Sequence, residues 1–402
     1  MLPLMKTALN IEDLRRMARK RVPRIVFDYI DGGADDEITL RENVAAFDRY
    51  IFRPRCAVPA NSCELQATVA GSQMALPLIL GPVGSSRMFH PGGEAAAASA
   101  AGKAGLTYVL STLSGTRMEE VRAASRGPVW YQLYLVGGHD VARRAIARAR
   151  AAGFSALVVT IDTPVAGLRE RDFRNGTKEL LSGRPLAMLP HVGQVLTRPR
   201  WLAGFLRDRG LMRFPNVMLP DGPMAYADVG AALQASAICW DDLRWIRNEW
   251  QGPLIIKGVH TAEDARRAVD AGAQAIVVSN HGGRQLDGVA ATLDMLPEVV
   301  RAVGSHTEVL MDGGVRRGSD IVKALCLGAR AVLIGRGYAY GLAAGGEAGV
   351  ANAIEIFRSG LVRTMALLGC PSLAELDTSF MSSRAPNPEA RVPNPEPRIP
   401  TV

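Results

Sequence analysis

The stretch PLIIKGVHTAEDARRAVDAGAQAIVVSN, residues 253–280, decides the fold. Its two ends, PLIIKGV and AIVVSN, are short, almost uninterrupted apolar runs, and between them TAEDARRAVDAG has the spacing of an amphipathic helix ending at a glycine. Strands buried on both faces and joined by a helix belong to a parallel sheet. Working outward, the same alternation recurs. Upstream lie LPLILGPVG (76–84), TYVLST (107–112), VWYQLY (129–134) and ALVVTID (156–162); downstream lie EVLMDGG (308–314) and AVLIGR (331–336). Helical patterns such as GGEAAAASAAGKAG, HDVARRAIARARAAG and GSDIVKALCLGA fill the gaps, each ending near a glycine suited to a left-handed cap. Eight such units predict an α/β fold, a closed (β/α)8 TIM barrel, for which about 250 residues is typical. The alternative is a doubly wound open sheet, but nothing divides the units into two halves.

Three pieces fall outside the barrel, which is assigned to residues 76–380. Residues 1–75 should form an N-terminal arm with one helix over IEDLRRMARKRVPRIVFDYIDGG, and residues 381–402 are a Pro-rich tail expected to be disordered. The third piece, 173–240, is a long insertion after strand 4, of a length usual for a lid or a binding segment.

The chain has 402 residues, 48% of them hydrophobic and 21% charged, which excludes a disordered chain or a disulfide-stapled mini-protein. Five cysteines without metal-ligand spacing predict reduced thiols, a cytoplasmic location and no metal site. The longest uncharged stretch, 65–86, is broken by Gly71, Pro77, Gly81 and Pro82, so no membrane crossing is expected. The net charge of +8 would admit a polyanion partner. Its location narrows the choice, because residues 182–220 contain Arg184, Arg198, Arg200, Arg207, Arg209 and Arg213 against the single acid Asp208. In RWLAGFLRDRGLMRF (200–214), Trp201, Leu202, Phe205 and Leu206 share one helical face, as in a helix lying in a membrane interface. Basic residues near an anionic surface add about 1 kcal/mol each. Peripheral contact with the inner face of an anionic membrane is one reading; the other is a lid, or a helix packed on its own barrel. No nucleic-acid module accompanies the charge, and nucleic acid is not an expected partner.

In such barrels chemistry gathers at the C-terminal ends of the strands. Here those ends are polar: Ser111 and Thr112, Gln132 and Tyr134, Thr160 and Asp162, Lys257, SNHGGRQLDG (279–288), MDGGVRRG and IGRG. Glycines beside Arg316 and Arg336 after strands 7 and 8 suit a phosphate. His281, just past a strand end, can act as a base near neutral pH, and Arg284 can clamp a carboxylate. Asp162 could face His281 across the barrel mouth and stabilise its imidazolium.

SNHGGRQLDG, with FDYIDGGADDEITLRENVAAF (27–47), YQLY, TIDTPVAGLRERD (160–172), IKGV, DGGVRRGSDIVKALCLGA (312–329) and IGR, closely resembles the FMN-dependent 2-hydroxy acid oxidases and dehydrogenases, the group of glycolate oxidase, L-lactate dehydrogenase and mandelate dehydrogenase. The resemblance implies oxidation of an (S)-2-hydroxy acid to the 2-oxo acid, with His281 as base and Asp162 supporting it. It places Arg284, Arg169 and Tyr29 on the substrate carboxylate and Tyr134 on the reacting oxygen. FMN is the implied cofactor. Lys257 would lie beside the flavin N1 and C2=O, where a cation stabilises the reduced ring. Pro82, Val83, Gly84, Ser111, Gln132, Thr160 and Ser279 would meet the ring, Asp312 the ribityl hydroxyls, and Gly314, Arg316, Gly335 and Arg336 the phosphate. Glycolate oxidase-like members carry Trp where this chain has Leu113, which widens the substrate side-chain space. At Gly84 oxidase-like members more often have Ala. Both departures lean toward a larger, aromatic 2-hydroxy acid and an acceptor other than oxygen, and the expected reaction uses a mandelate or lactate type of substrate with a quinone-like acceptor. RPRW (198–201) resembles the insertion of membrane-associated mandelate dehydrogenases, which favours the membrane reading of that segment. An oxygen-using oxidase is the alternative, and an FMN barrel such as type 2 isopentenyl diphosphate isomerase a more distant one. Family members are commonly homotetramers.

Overall fold

The computed structural model describes residues 8–59, 63–176, 189–207, 213–226 and 229–384. Eight parallel strands close into a barrel: β1 (Leu78–Leu80), β2 (Thr107–Leu110), β3 (Val129–Leu133), β4 (Ala156–Thr160), β5 (Leu254–Val259), β6 (Ala275–Val278), β7 (Glu308–Met311) and β8 (Ala331–Ile334). Each lies within one of the eight apolar runs. Neighbours in sequence are neighbours in space, and β8 returns to pair with β1 through Val332–Leu78 and Ile334–Leu80, so no edge is left open.

Side chains alternate along each strand between two cores, as a period of two requires. Ile79, Val109, Trp130, Val158, Ile255, Val277, Leu310 and Leu333 fill the barrel interior. Their neighbours Leu80, Tyr108, Tyr131, Val159, Ile256, Ile276, Met311 and Ile334 face the surrounding helices. The arm supplies a plug: Ala67–Val69 pairs antiparallel with Ser72–Met74. Trp130 Nε1 donates to Ser72 Oγ at 3.1 Å, and Ala70 N to Glu308 Oε2 at 2.7 Å. The N-terminal end of the barrel is thereby closed, leaving the C-terminal mouth for ligands.

The expected single N-terminal helix is two, Ile11–Arg21 and Arg24–Asp31. Pro23 forces the break, since the residue before a proline is driven out of helical geometry; Val22 has φ −102° and ψ 158°. Buried Asp31 ties both pieces to the barrel by accepting from Arg15 at 2.6 Å, Arg171 at 3.0 Å and Tyr340 at 2.8 Å. Burial alone would raise its pKa, but these partners outweigh it and hold the carboxyl at about 2.

The tail begins later than expected. Met381–Ser383 forms a strand antiparallel to Tyr50–Phe52, because Phe380 and Met381 are apolar enough to be buried against the core. Residues 385–402 lie outside the described residues.

The insertion is structured where it is described. It contains the helix Pro199–Arg207 and an antiparallel hairpin, Arg213–Leu219 with Gly222–Ala225. The helix face that could meet either a bilayer or its own barrel packs mainly inward. Trp201 is buried, donates from Nε1 to Met88 O at 2.7 Å and stacks on Phe205 at 4.9 Å. Leu202 and Phe205 pack against the core, and of the four residues only Leu206, 62% accessible, remains exposed. Arg184, Arg209 and Asp208 lie outside the described residues. Among the described residues no helix is long and apolar enough to cross a membrane.

Candidate active site

The C-terminal strand ends surround a cavity of about 650 Å³. The loop after β6 shapes one side of it. His281, Gly282 and Gly283 have φ of 57°, 64° and 73°, a left-handed run in which a non-glycine residue is uncommon. Gly283 must be glycine also for space, since a Cβ there would lie 2.6 Å from Leu40 N. The turn brings Gly283 O to accept from Ala34 N at 2.9 Å, docking the arm on the barrel. His281 N donates to Ser279 Oγ at 3.1 Å, which fixes the start of the turn.

The imidazole spans two strands' contributions. Its Nδ1 lies 2.8 Å from Asp162 Oδ1, just beyond β4, and Tyr134 Oη, just beyond β3, is 3.5 Å from Nε2. A carboxylate partner on Nδ1 holds the proton there and leaves Nε2 as the acceptor facing the cavity. Burial alone would raise Asp162, but His281 and Lys257 outweigh it and hold the carboxyl at about 2. It therefore stays ionised and can stabilise a protonated imidazole. Tyr134 is pushed up to about 12 by burial and by Asp162, so it remains a phenol that can donate.

Lys257, on β5, is almost fully buried. Its Nζ lies 3.0 Å from Asp312 Oδ2 and donates to Ser279 Oγ at 2.9 Å. Burial opposes its charge, but Asp312 and Asp162 more than compensate, and its pKa is raised. Next to it stands a group of polar atoms without protein partners: Gln132 Nε2, Thr160 Oγ1 and Asp312 Oδ1. The orientation of Gln132 is set from behind, because its Oε1 accepts from Ser111 Oγ and Thr112 N, each at 3.2 Å. The amide nitrogen is left as a donor. Each buried polar atom left unpaired costs about 1–3 kcal/mol. A ligand carrying carbonyl, imino and hydroxyl groups would remove that cost.

A second group is cationic. Arg284 Nη1 donates to the carbonyls of Tyr29 and Gly32, both at 2.9 Å, and Arg336 to those of Gly282 and Gly32, both at 2.8 Å. Neither guanidinium has a carboxylate partner among the described residues. Burial and the repulsion of Arg284 lower Arg336 to about 9, and burial and Arg169 lower Arg284. Arg316 also lines the cavity and adds to the repulsion on Arg336. Partly buried like charges gathered this closely favour anions. Tyr29 presents its ring to Arg284 at 5.2 Å and to Arg169 at 6.0 Å. Arg169 differs from the other two, being paired with Asp172 at 3.0 Å.

Every residue singled out from the sequence reaches this place. Tyr29, Pro82, Val83, Gly84, Ser111, Leu113, Gln132, Tyr134, Thr160, Arg169, Lys257, His281, Arg284, Asp312, Gly314, Arg316, Gly335 and Arg336 line the cavity. Asp162 and Ser279 stand behind it, on His281 and Lys257. The sequence reading misses Phe214, Tyr226, Val229 and Leu233 of the insertion, which also line the cavity. No local pattern marks them, since their role depends on where the hairpin folds back. Thr163, which donates to Asp162 Oδ1 at 3.0 Å, is legible only as a neighbour of the strand-end aspartate.

The unpaired atoms and the Lys257 charge fit the polar edge and polyol of a flavin, and the arginine arc fits its phosphate and a substrate carboxylate. A family model described as FMN-dependent dehydrogenase matches residues 18–383. A putative L-lactate dehydrogenase of Mycobacterium tuberculosis is 43% identical over 92% of this chain and 88% of its own length. An L-lactate oxidase of a Nostoc species is also 43% identical, over 93% of this chain and 98% of its own length. Among solved structures, a monotopic membrane protein, (S)-mandelate dehydrogenase, superposes with a TM-score of 0.88 at 37% identity, covering 94% of this chain and all of that one. The chain thus belongs to the FMN-dependent dehydrogenase family, and its activity is the FMN-dependent oxidation of a 2-hydroxy acid.

Proposed function

We propose that the chain oxidises an (S)-2-hydroxy acid of mandelate or lactate type to the 2-oxo acid and passes the electrons to a quinone-like acceptor. The observation that carries this reading is the His281–Asp162 pair, at 2.8 Å, set beside partly buried arginines that lack a counter-anion among the described residues. Arg284 takes the substrate carboxylate in two parallel hydrogen bonds, with Tyr29 and Arg169 beside it. Tyr134 donates to the oxygen on C2. His281 accepts the substrate proton at Nε2, because Nδ1 is committed to Asp162, whose charge stabilises the resulting imidazolium. FMN, when bound, supplies the two-electron acceptor that side chains lack. Gln132, Ser111, Thr160 and the backbone of Pro82, Val83 and Gly84 would hold its ring. Lys257 and Ser279 would hold its polar edge, Asp312 the ribityl chain, and Gly314, Arg316, Gly335 and Arg336 the phosphate.

Support for a quinone-like acceptor comes from Gly84 and Leu113 and from the likeness to (S)-mandelate dehydrogenase. The L-lactate oxidase relative favours the second reading, in which oxygen is the acceptor and hydrogen peroxide the product. Peripheral attachment to an anionic membrane rests on a smaller surface than the whole insertion helix: Leu189, Leu196 and Leu206, exposed near Arg198 and Arg200.

The test is an anaerobic flavin-reduction screen with glycolate, L-lactate and (S)-mandelate, followed by reoxidation with a quinone or with oxygen. The yellow absorbance should bleach with the substrate and return faster with the quinone. A protein that stays colourless after FMN addition overturns the reading. His281→Ala should retain FMN yet slow bleaching by about 10³-fold or more, the upper part of the range for a positioned base. For the membrane, failure of the intact protein to sediment with anionic liposomes at low salt sinks the attachment.

A further inference from the structure

The insertion does more than cover the barrel mouth. Phe214 and Tyr226, from the hairpin and its end, are both buried, and their rings stack with centroids 4.6 Å apart at 29°. Both line the cavity. Tyr226 lies beside Tyr29, and burial and that neighbour raise its hydroxyl well above the usual phenol range. The pair therefore sits on the Tyr29 side of the cavity, the side where the proposed reading holds the substrate carboxylate.

The hairpin is bolted in place rather than hinged. Buried Asn216 accepts from Met118 N at 3.0 Å and donates to Thr116 O at 2.9 Å. Arg148 donates to Pro215 O at 3.1 Å while gripping Glu119. Asn216 thus clasps the hairpin to the β2 loop that carries Leu113, and the two sides of the subsite keep a fixed separation. A lid that opened on each turnover would have to break these buried bonds.

We infer that Phe214 and Tyr226 form a fixed aromatic wall of the subsite for the substrate's C2 side chain, making them specificity-determining residues for 2-hydroxy acids that carry an aryl group. The inference rests on the proposed oxidation of a 2-hydroxy acid at this cavity. A flat ring lies against a stacked pair in offset or edge contact and gains from the apolar surface removed from water. A methyl group, as in lactate, offers far less apolar surface to such a wall than an aryl ring does.

The deciding measurement is the ratio of kcat/KM for (S)-mandelate to that for L-lactate, taken on full-length FMN-loaded protein. The wild-type ratio should exceed about ten, since a single methylene in an apolar pocket is already worth roughly tenfold or more. Phe214→Ala should lower the ratio about tenfold. Phe214→Leu, which keeps apolar volume, should lower it less, and decides the matter if the alanine variant does not hold FMN. Asn216→Ala loosens the clasp without touching the wall and should lower the same ratio about threefold, with KM for mandelate rising more than kcat falls. A wild-type preference for lactate, or a ratio unmoved in both Phe214 variants, overturns the wall while leaving the oxidation intact. Absence of flavin bleaching with any 2-hydroxy acid overturns the oxidation instead.

Discussion

Two charged regions share the cavity and are built on opposite plans. Around His281, every charge has a protein partner: Asp162 on His281 at 2.8 Å, Asp312 on Lys257 at 3.0 Å. Along the arc of Arg284 and Arg336, the partly buried cations donate to backbone carbonyls and to no carboxylate among the described residues. Internal pairing fixes the protonation state of a group before any ligand arrives, which is what a base and its support need. Missing counter-charges store a binding demand that an anion from outside satisfies. On the proposed reading the first region holds and moves protons, and the second captures an anion.

The sharpest way to break this contrast is to remove one cation from each region. Lys257→Met leaves Asp312 without its partner and removes a charge that helps hold Asp162 ionised, and should cost about 3 kcal/mol or more of stability in urea unfolding, with FMN bound more weakly. Arg284→Met removes a cation with no anionic partner among the described residues. It should lower kcat/KM about 10²-fold, mainly through KM, because the substrate carboxylate loses a charge-assisted pair. Its melting temperature should shift by less than about 2 °C, the equivalent of roughly 1 kcal/mol in a barrel of this size. A large melting loss in Arg284→Met, or none in Lys257→Met, would show that the two regions are not built differently.

Acid sharpens the same comparison. Asp31 and Asp162 are held at about 2, well below their ordinary 3.8. A carboxyl depressed on folding stabilises the protein above its unfolded pKa and loses that contribution as pH falls through the folded value. Stability should therefore drop between about pH 4 and pH 2, on the order of 2 kcal/mol for each group. Urea midpoints for Asp31→Asn should follow a flatter curve over that interval than those of the wild type.

The smallest effect is expected at Gly84. A Cβ there would lie 3.0 Å from Leu113 O and 3.3 Å from its Cβ, so Gly84→Ala must push the Leu113 loop by a few tenths of an ångström. Turnover of (S)-mandelate should fall less than about tenfold, and turnover of L-lactate less still, because the displaced loop borders the side-chain space. Equal losses for the two substrates would detach Leu113 from that space.

Most of the paired region is legible in the order of residues alone. Strand ends are readable because an apolar run must stop where the barrel opens to solvent, and the polar residue at that stop, Thr160 or Lys257, marks the mouth. His281 between Asn280 and two glycines announces a backbone that cannot continue a strand. The insertion is legible only in part. The stripe of Trp201, Leu202, Phe205 and Leu206 is the same pattern whether it faces a bilayer or a barrel, since both are apolar solvents for one side of a helix. The bond from Trp201 to Met88 O and the packing of Leu202 and Phe205 set most of it against the barrel. Pro23 is a readable break that the longer apolar periodicity on either side of it masks.

Strand periodicity and residue type are local properties, so the eight units, the chemistry available at their ends and the excess of arginine can be read from the order of residues alone. Which charges meet depends on the closed barrel. The union of His281 with Asp162, the seating of Arg336 on backbone carbonyls, and the placing of Phe214 and Tyr226 beside Tyr29 join residues far apart in the chain. Such contacts depend on barrel closure and on where a long loop folds back, and no local pattern records either.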